Sequence, residues 1–251
     1  MRPFALLACL LGLLLAPMLA PQRAHAQDGK PPAGTPAAAP AMIAIIGDSL
    51  ADGLWGGLYK LMPKDKPTKL FRGAKNSVGF TGASLTDMID RAFAAGETHA
   101  LVMMIGANDR RSFFVDGKSK ALLGTPAWIE LYRERVGKFM DHAGKRNVPL
   151  VWVLLPVMRA ADATRDAELV NRLVVEAAVA RPHVTLLDTV KLTADETGAY
   201  LAHFNDLAGQ KRLMRASDGV HFEQPAYEVI GDLVLKRLRE LSPRFKSAAA
   251  E

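Results

Sequence analysis

Cysteine is nearly absent: the 251 residues contain one, Cys9, inside the apolar N-terminal stretch. Once that stretch is removed, the chain has no disulfide, no thiolate nucleophile and no cysteine-based metal site. Long hydrophobic runs are missing too. The run from Phe4 to Leu15 falls short of the roughly 20 residues that a membrane span needs. With Arg2 before it and Ala24-His25-Ala26 after it, residues 1–26 read as a secretory signal peptide, so no stable membrane span is expected after cleavage. Charge of one sign is also scarce. There are 32 basic and 26 acidic residues, and without Arg2 and Arg23 the excess is +4. No Lys/Arg block interleaves with aromatics, which argues against nucleic acid as a partner. No Gly-x-Gly-x-x-Gly follows the first strand and no P-loop occurs, so nucleotide binding loses its usual support.

What remains is regular. Residues 27–41 are rich in Pro, Ala and Gly and poor in bulky apolar side chains, which reads as a flexible tether. From Met42 onward, short apolar runs alternate with helical patterns. Strands are expected at Met42–Ile46, Lys69–Arg72 (a weak edge), His99–Ile105, Val148–Leu155 and Val184–Leu187. Helices are expected after Ser49, from a Ser84 cap to Phe93, and over Pro126–Lys145, Ala163–Ala180 and Gln224–Leu241. The stretches from Arg110 to Thr125 and from Ala194 to Met214 read as loops. The rhythm predicts an α/β fold: a three-layer α/β/α sandwich around a roughly five-stranded parallel sheet in flavodoxin-like order. An eight-fold barrel would need more chain. The folded domain is placed at 42–243, with 244–251 as a tail.

The stretch Met42-Ile43-Ala44-Ile45-Ile46-Gly47-Asp48-Ser49 organises the rest. It reads as a buried strand, a tight turn and a helix start, with the Ser49 hydroxyl at the carboxyl end of a strand and at a helix N-terminus. That placement suits a serine nucleophile, and it equally suits Asp48 and Ser49 as helix caps. Three further features fall at strand ends or in the following loops: Gly79, Asn108 and the pair Asp218/His221.

Taken together and in order, Gly47-Asp48-Ser49-Leu50, Gly79, Gly106-Ala107-Asn108-Asp109 and Asp218-Gly219-Val220-His221 resemble the SGNH (GDSL-type) hydrolase superfamily. Gly-Ala-Asn-Asp-Arg, Leu155-Pro156-Val157-Met158-Arg159 and Ser217-Asp218-Gly219-Val220-His221-Phe222 extend the likeness to an exported bacterial branch of it. The resemblance implies that Ser49 is the nucleophile, His221 its base and Asp218 the group that orients His221. The Ser49 and Gly79 backbone N–H groups and the Asn108 side-chain amide would form an oxyanion hole. Gly82 is the rival for Gly79. No Gly-x-Ser-x-Gly elbow occurs, which argues against an α/β-hydrolase.

The remaining polar residues have plainer readings. Asp48 is expected to support the turn and Asp109 to orient the Asn108 loop. His99, His142 and His183 read as structural and His203 as rim. Arg110, Arg111, Arg159, Arg212 and Arg215 could line the same rim and select an anionic or polyhydroxylated substrate, with Arg110, Arg159 and Arg215 the ones singled out. Solvated loop charges, or salt bridges to Asp109 and Asp116, are the alternative.

The resemblance, with the export signal, implies a periplasmic serine esterase working without metal or cofactor on an O-acyl ester, O-acetyl being one candidate, of envelope carbohydrate or a small molecule. An O-acetyltransferase using the same triad, and a non-catalytic envelope-binding module, are the competing readings. The sequence carries no indication of oligomeric state.

Overall fold

The computed structural model describes residues 40–63, 68–115 and 117–248. The expected signal peptide and nearly all of the tether lie outside them, as does Asp116. In chain order the elements are β1 (Met42–Gly47), α1 (Ser49–Leu61), β2 (Lys69–Arg72), α2 (Thr86–Ala94), β3 (Ala100–Met104), β4 (Phe113–Val115) and β5 (Lys118–Ala121). They continue with α3 (Pro126–Gly144), β6 (Leu150–Val153), α4 (Ala161–Ala178), β7 (Val184–Leu187), α5 (Val190–Thr193), β8 (His203–Asn205), β9 (Lys211–Leu213) and α6 (Gln224–Leu241).

Five strands form one parallel sheet in the order β2-β1-β3-β6-β7. Renumbered within the sheet this is 2-1-3-4-5, the flavodoxin-like order. The apolar runs explain the placement. Every residue of β1, β3 and β6 is buried, as happens when helices cover both faces of a parallel sheet. The weaker run Lys69-Leu70-Phe71-Arg72 takes an edge, with its two end residues exposed. The ladder starts one residue before β1: buried Ala41 accepts from the Lys69 N–H at 2.7 Å. Helices α1 and α6 pack against each other, while α3 packs against α2 and α4. Beneath α3, Phe80 stacks on Trp152 and meets Tyr132 and Phe139 edge-on.

Several local expectations shift. Leu85, not Ser84, precedes α2; the Ser84 hydroxyl lies against that of Thr86 at 3.2 Å and caps no backbone N–H. The stretch 110–125 carries the β4–β5 hairpin, and the stretch 194–214 carries the β8–β9 hairpin. Residues 243–248 form a 3₁₀ turn that buries Phe245, so packed chain continues past residue 243. Among the described residues no helix is long and apolar enough to cross a membrane.

Strand order places the site. Because β2 and β3 flank β1 on opposite sides, the loops leaving β1 and β3 diverge and open a crevice at the carboxyl ends of the strands. Ser49 follows β1 and Asn108 follows β3. The angle at which α1 leaves that crevice depends on its fit to α6. A Cβ on Gly53 would lie 2.0 Å from the Tyr227 ring, and one on Gly57 2.3 Å from the Tyr227 carbonyl oxygen. The backbone at Gly57 cannot yield as a side chain can. Gly57→Ala should therefore lower unfolding stability by about 1–3 kcal/mol, the usual scale of overpacking. A urea midpoint that falls at constant slope is the expected result, and an unchanged midpoint would show that α1 and α6 can separate freely.

Candidate active site

The turn after β1 is built on Gly47. Its φ is +135°, and a Cβ there would sit 2.0 Å from the Met104 carbonyl oxygen, so only glycine lets β1 and β3 end side by side. Asp48 caps α1, its Oδ1 accepting from the Leu50 N–H at 2.9 Å. Ser49 is then the first helical residue, and its own N–H is one of the leading donors for which a helix has no internal acceptor.

From that position the Ser49 Oγ lies 2.7 Å from His221 Nε2. His221 Nδ1 lies 2.6 Å from Asp218 Oδ2, while Asp218 Oδ1 accepts from the N–H groups of Val220 at 2.8 Å and His221 at 2.9 Å. A carboxylate on Nδ1 holds the proton there and leaves Nε2 as the acceptor for a hydroxyl. Partial burial works to raise the Asp218 carboxyl, but the bonds from His221 and the two backbone N–H groups outweigh it and hold the group at about 2. It is ionised at any neutral pH. Arranged this way, His221 can draw a proton from Ser49 while Asp218 stabilises the resulting imidazolium.

Asn108 completes the crevice from the β3 side. Its Nδ2 donates to Val78 O at 3.1 Å and to Asp48 Oδ2 at 3.3 Å. Two buried carboxylates fix its surroundings. Asp48, with no exposed surface, takes Leu50 N–H on one oxygen and Gly106 N–H (3.1 Å) and Asn108 on the other. Asp109, equally buried, accepts from the Thr81 N–H (2.8 Å), the Thr81 hydroxyl (2.9 Å) and the Tyr132 hydroxyl (2.9 Å). Asp48 supports the turn and Asp109 orients the Asn108 loop, as the sequence suggests. Burial raises both carboxyls against the hydrogen bonds that favour the charged form, and brings Asp48 to about 6. The same burial, reinforced by the charge of Asp109, raises the Tyr132 hydroxyl well above 10 and keeps it a donor.

Between the rival glycines, the buried one is Gly79. It adjoins Val78, the acceptor for Asn108, and a Cβ on it would meet Asp109 Oδ1 at 2.2 Å. Gly82 is exposed, and its N–H already donates to Gly79 O at 3.1 Å. Phe80, locked in the aromatic cluster, pins this loop to the core.

The arginines separate. Arg215 is 1% exposed and cannot line a rim; its guanidinium is turned onto backbone carbonyls. Arg110 is engaged by Asp162 at 2.6 Å and Asp166 at 2.8 Å of α4, and not by Asp109. Arg159 stays exposed beside the loop that carries Asp218 and His221, donating to Ser217 O at 2.7 Å with its guanidinium over the Tyr200 ring. Of the three, only Arg159 keeps the expected rim position. His99, His142 and His183 make structural contacts with Met42 N–H, Asp90 and Met140 O, and His203 is exposed on β8. Among the described residues no group of three or more His, Cys, Asp or Glu could hold a metal ion.

Sequence reasoning missed Thr81 and Tyr132 as partners of Asp109; Arg111, expected at the rim, reaches Thr81 Oγ1 at 3.3 Å and Ser77 O at 3.4 Å. Arg111 was legible as a neighbour of Asn108. Tyr132 carries no local signal, because only the packing of α3 brings it under the site.

A family model described as "Protein of unknown function (DUF459)" matches residues 42–237. None of the curated proteins matches. Among solved structures, a GDSL-like lipase from Bacteroides thetaiotaomicron is similar at TM-score 0.57 and 12% identity, with 80% of this chain and 89% of that one covered. A lipase/acylhydrolase from Enterococcus faecalis gives 0.52 and 14%, covering 80% and 96%. A psychrotrophic esterase from Pseudoalteromonas sp., in a structure inhibited by monoethylphosphonate, gives 0.51 and 13%, covering 80% and 97%. At such identities the likeness is one of fold, and the fold is that of the SGNH hydrolases.

The raised Asp48 carboxyl makes a signed prediction. Its folded value, about 6, exceeds the ordinary 3.8, so the fold binds this proton more tightly than the unfolded chain does. Stability from this group is therefore full below about pH 4 and lost as pH rises through 6. In Asp48→Asn that dependence disappears. The wild-type-minus-variant difference in unfolding free energy should fall by roughly 2–3 kcal/mol between pH 4 and pH 7, at 1.36 kcal/mol for each tenfold difference in proton affinity. Urea titrations at several pH values measure it; a constant difference would contradict burial as the dominant influence on Asp48.

Proposed function

The chain belongs to the DUF459 family, and from its fold and the site geometry we propose that it is an exported serine esterase. The observation that carries the reading is the continuous chain Ser49 Oγ–His221 Nε2, His221 Nδ1–Asp218, at 2.7 and 2.6 Å. In the proposed reaction Ser49 Oγ attacks the acyl carbon while its proton passes to His221 Nε2. The C–O π electrons move onto the carbonyl oxygen. The collapsing intermediate expels the alcohol, which takes the proton from His221. Water, deprotonated by the same nitrogen, then releases the acid and restores Ser49.

The oxyanion would be met by the N–H groups of Ser49 and Gly79 and by Asn108. An amide nitrogen has two protons, and those of Asn108 face Val78 O and Asp48. Donation to the oxyanion therefore requires the amide to give up the longer, 3.3 Å bond to Asp48.

The substrate we favour is an O-acyl ester, O-acetyl first, on envelope carbohydrate, met in the periplasm. Two observations support it. The N-terminal stretch has the composition of an export signal. The triad is open, with His221 37% and Asp218 48% exposed, which suits an ester projecting from a polymer better than a long acyl chain held in a tunnel. The exposed guanidinium of Arg159 beside the triad loop favours an anionic sugar.

Purified protein should hydrolyse short p-nitrophenyl esters. Ser49→Ala should abolish turnover while unfolding stays cooperative, and Asn108→Ala should lower kcat by roughly 10²–10³ with KM little changed. Near-wild-type turnover in Ser49→Ala would overturn the reading. An added sugar acceptor that diverts the acyl group from water to its hydroxyl would reassign the protein as an acetyltransferase.

A further inference from the structure

Arg215 is an unusual residue to find in a core. Its side chain is buried, yet no carboxylate among the described residues forms a salt bridge with it. Instead Nη1 donates to Val157 O at 2.7 Å, Nη2 to Val220 O at 3.1 Å and Gly219 O at 3.3 Å, and Nε to His221 O at 3.4 Å. The rings of Tyr200 and Phe222 lie against its guanidinium, with centroids 4.8 and 4.5 Å away. Three of the four carbonyls belong to the loop that carries His221. The fourth, Val157, belongs to the chain leaving β6.

The same peptide groups are held from their other ends. Asp218 Oδ1 accepts from the N–H of Val220 and from the N–H of His221. The peptide joining Gly219 to Val220 thus has its C=O on Arg215 and its N–H on Asp218. The peptide joining Val220 to His221 is held in the same way. Two peptide dipoles stand between a cation and an anion, aligned with both.

We propose that Arg215 is a positioning residue for the triad: with Asp218 it grips the two peptide groups that lead into His221, and so aims the imidazole at Ser49. The catalytic part of this proposal rests on the esterase reading; the grip itself does not. Burial lowers the Arg215 guanidinium to about 10, which leaves it charged at neutral pH. Each gripped peptide is polarised in the direction that strengthens its N–H bond to Asp218, because hydrogen bonds in a chain reinforce one another. The turn needs this help. Gly219 sits at φ +73°, and a Cβ there would strike Arg159 Cβ at 2.4 Å. Arginine suits the task because its planar fork has five N–H donors in fixed directions, which a lysine ammonium cannot reproduce.

Arg215→Lys keeps the charge and the buried stem but loses the fork; Arg215→Met loses both. In each, kcat for ester hydrolysis should fall by about 10²-fold, the scale of a catalytic group displaced by about 1 Å, while KM stays within about twofold. The low-field proton resonance of His221 Nδ1–H should weaken or shift in both variants while unfolding stays cooperative, and millimolar guanidinium should partly restore it in Arg215→Ala. In the unaltered protein, the Val220 and His221 amide protons should exchange more slowly than other amides of the loop, a readout that needs no variant to fold. Wild-type kcat with an unmoved resonance in Arg215→Lys, or fast exchange of those two amides, would overturn the proposal. If the protein proved not to be an esterase, the resonance and exchange readouts would still decide the grip.

Discussion

The site depends first on one buried carboxylate that, among the described residues, forms no salt bridge. Asp48 gathers donors from three places: Leu50 at the start of α1, Gly106 at the end of β3, and Asn108 beyond it. Removing any of these would leave a buried polar group unmatched, which costs more than a hydrogen bond gains. So the end of β1, the start of α1 and the loop after β3 stay in register. Asp109 does the same one layer deeper, joining the Asn108 loop to Thr81 and to Tyr132 of α3. Both carboxylates are kept out of water next to one another, and the like charge of Asp109 adds to the burial that raises Asp48. The crevice sits on groups that are electrostatically uncomfortable and well bonded.

The other wall of the crevice is assembled by different means. The loop from Ala216 to Glu223 carries no long strand or helix of its own. Its short turns are tied by Ala216 N–H to His221 O and Glu223 N–H to Met214 O, and by two side chains, Asp218 and Arg215, that work on its main chain from opposite sides. One wall therefore takes its order from the sheet and the other from a local charge arrangement.

Much of this was legible in the sequence, and the reasons differ by element. The buried strands β1, β3 and β6 show as unbroken apolar runs because both faces are covered, and the edge strand β2 shows as a weak one. Ser49, Asn108, Asp218 and His221 could be placed because each follows a strand or belongs to a compact block. The β4–β5 and β8–β9 hairpins could not. Their strands are three or four residues long, and Lys118-Ser119-Lys120 has no apolar alternation to betray a pairing that tertiary contact supplies. Ser84 has the composition of a cap, but its hydroxyl turned to Thr86. Arg215 was misjudged for a more general reason. A sequence shows charge but not depth, and an arginine satisfied by carbonyls and aromatic faces looks, in one dimension, like an arginine waiting for a ligand.

The central claim is that Ser49 is a nucleophile activated by His221. It is tested most directly by treating the protein with a reactive alkylphosphonate and reading the adduct by intact mass and peptide mapping. The account predicts one adduct per chain, on the peptide containing Ser49, formed orders of magnitude more slowly in His221→Ala. No adduct, an adduct on another serine, or an unchanged labelling rate in His221→Ala would contradict it.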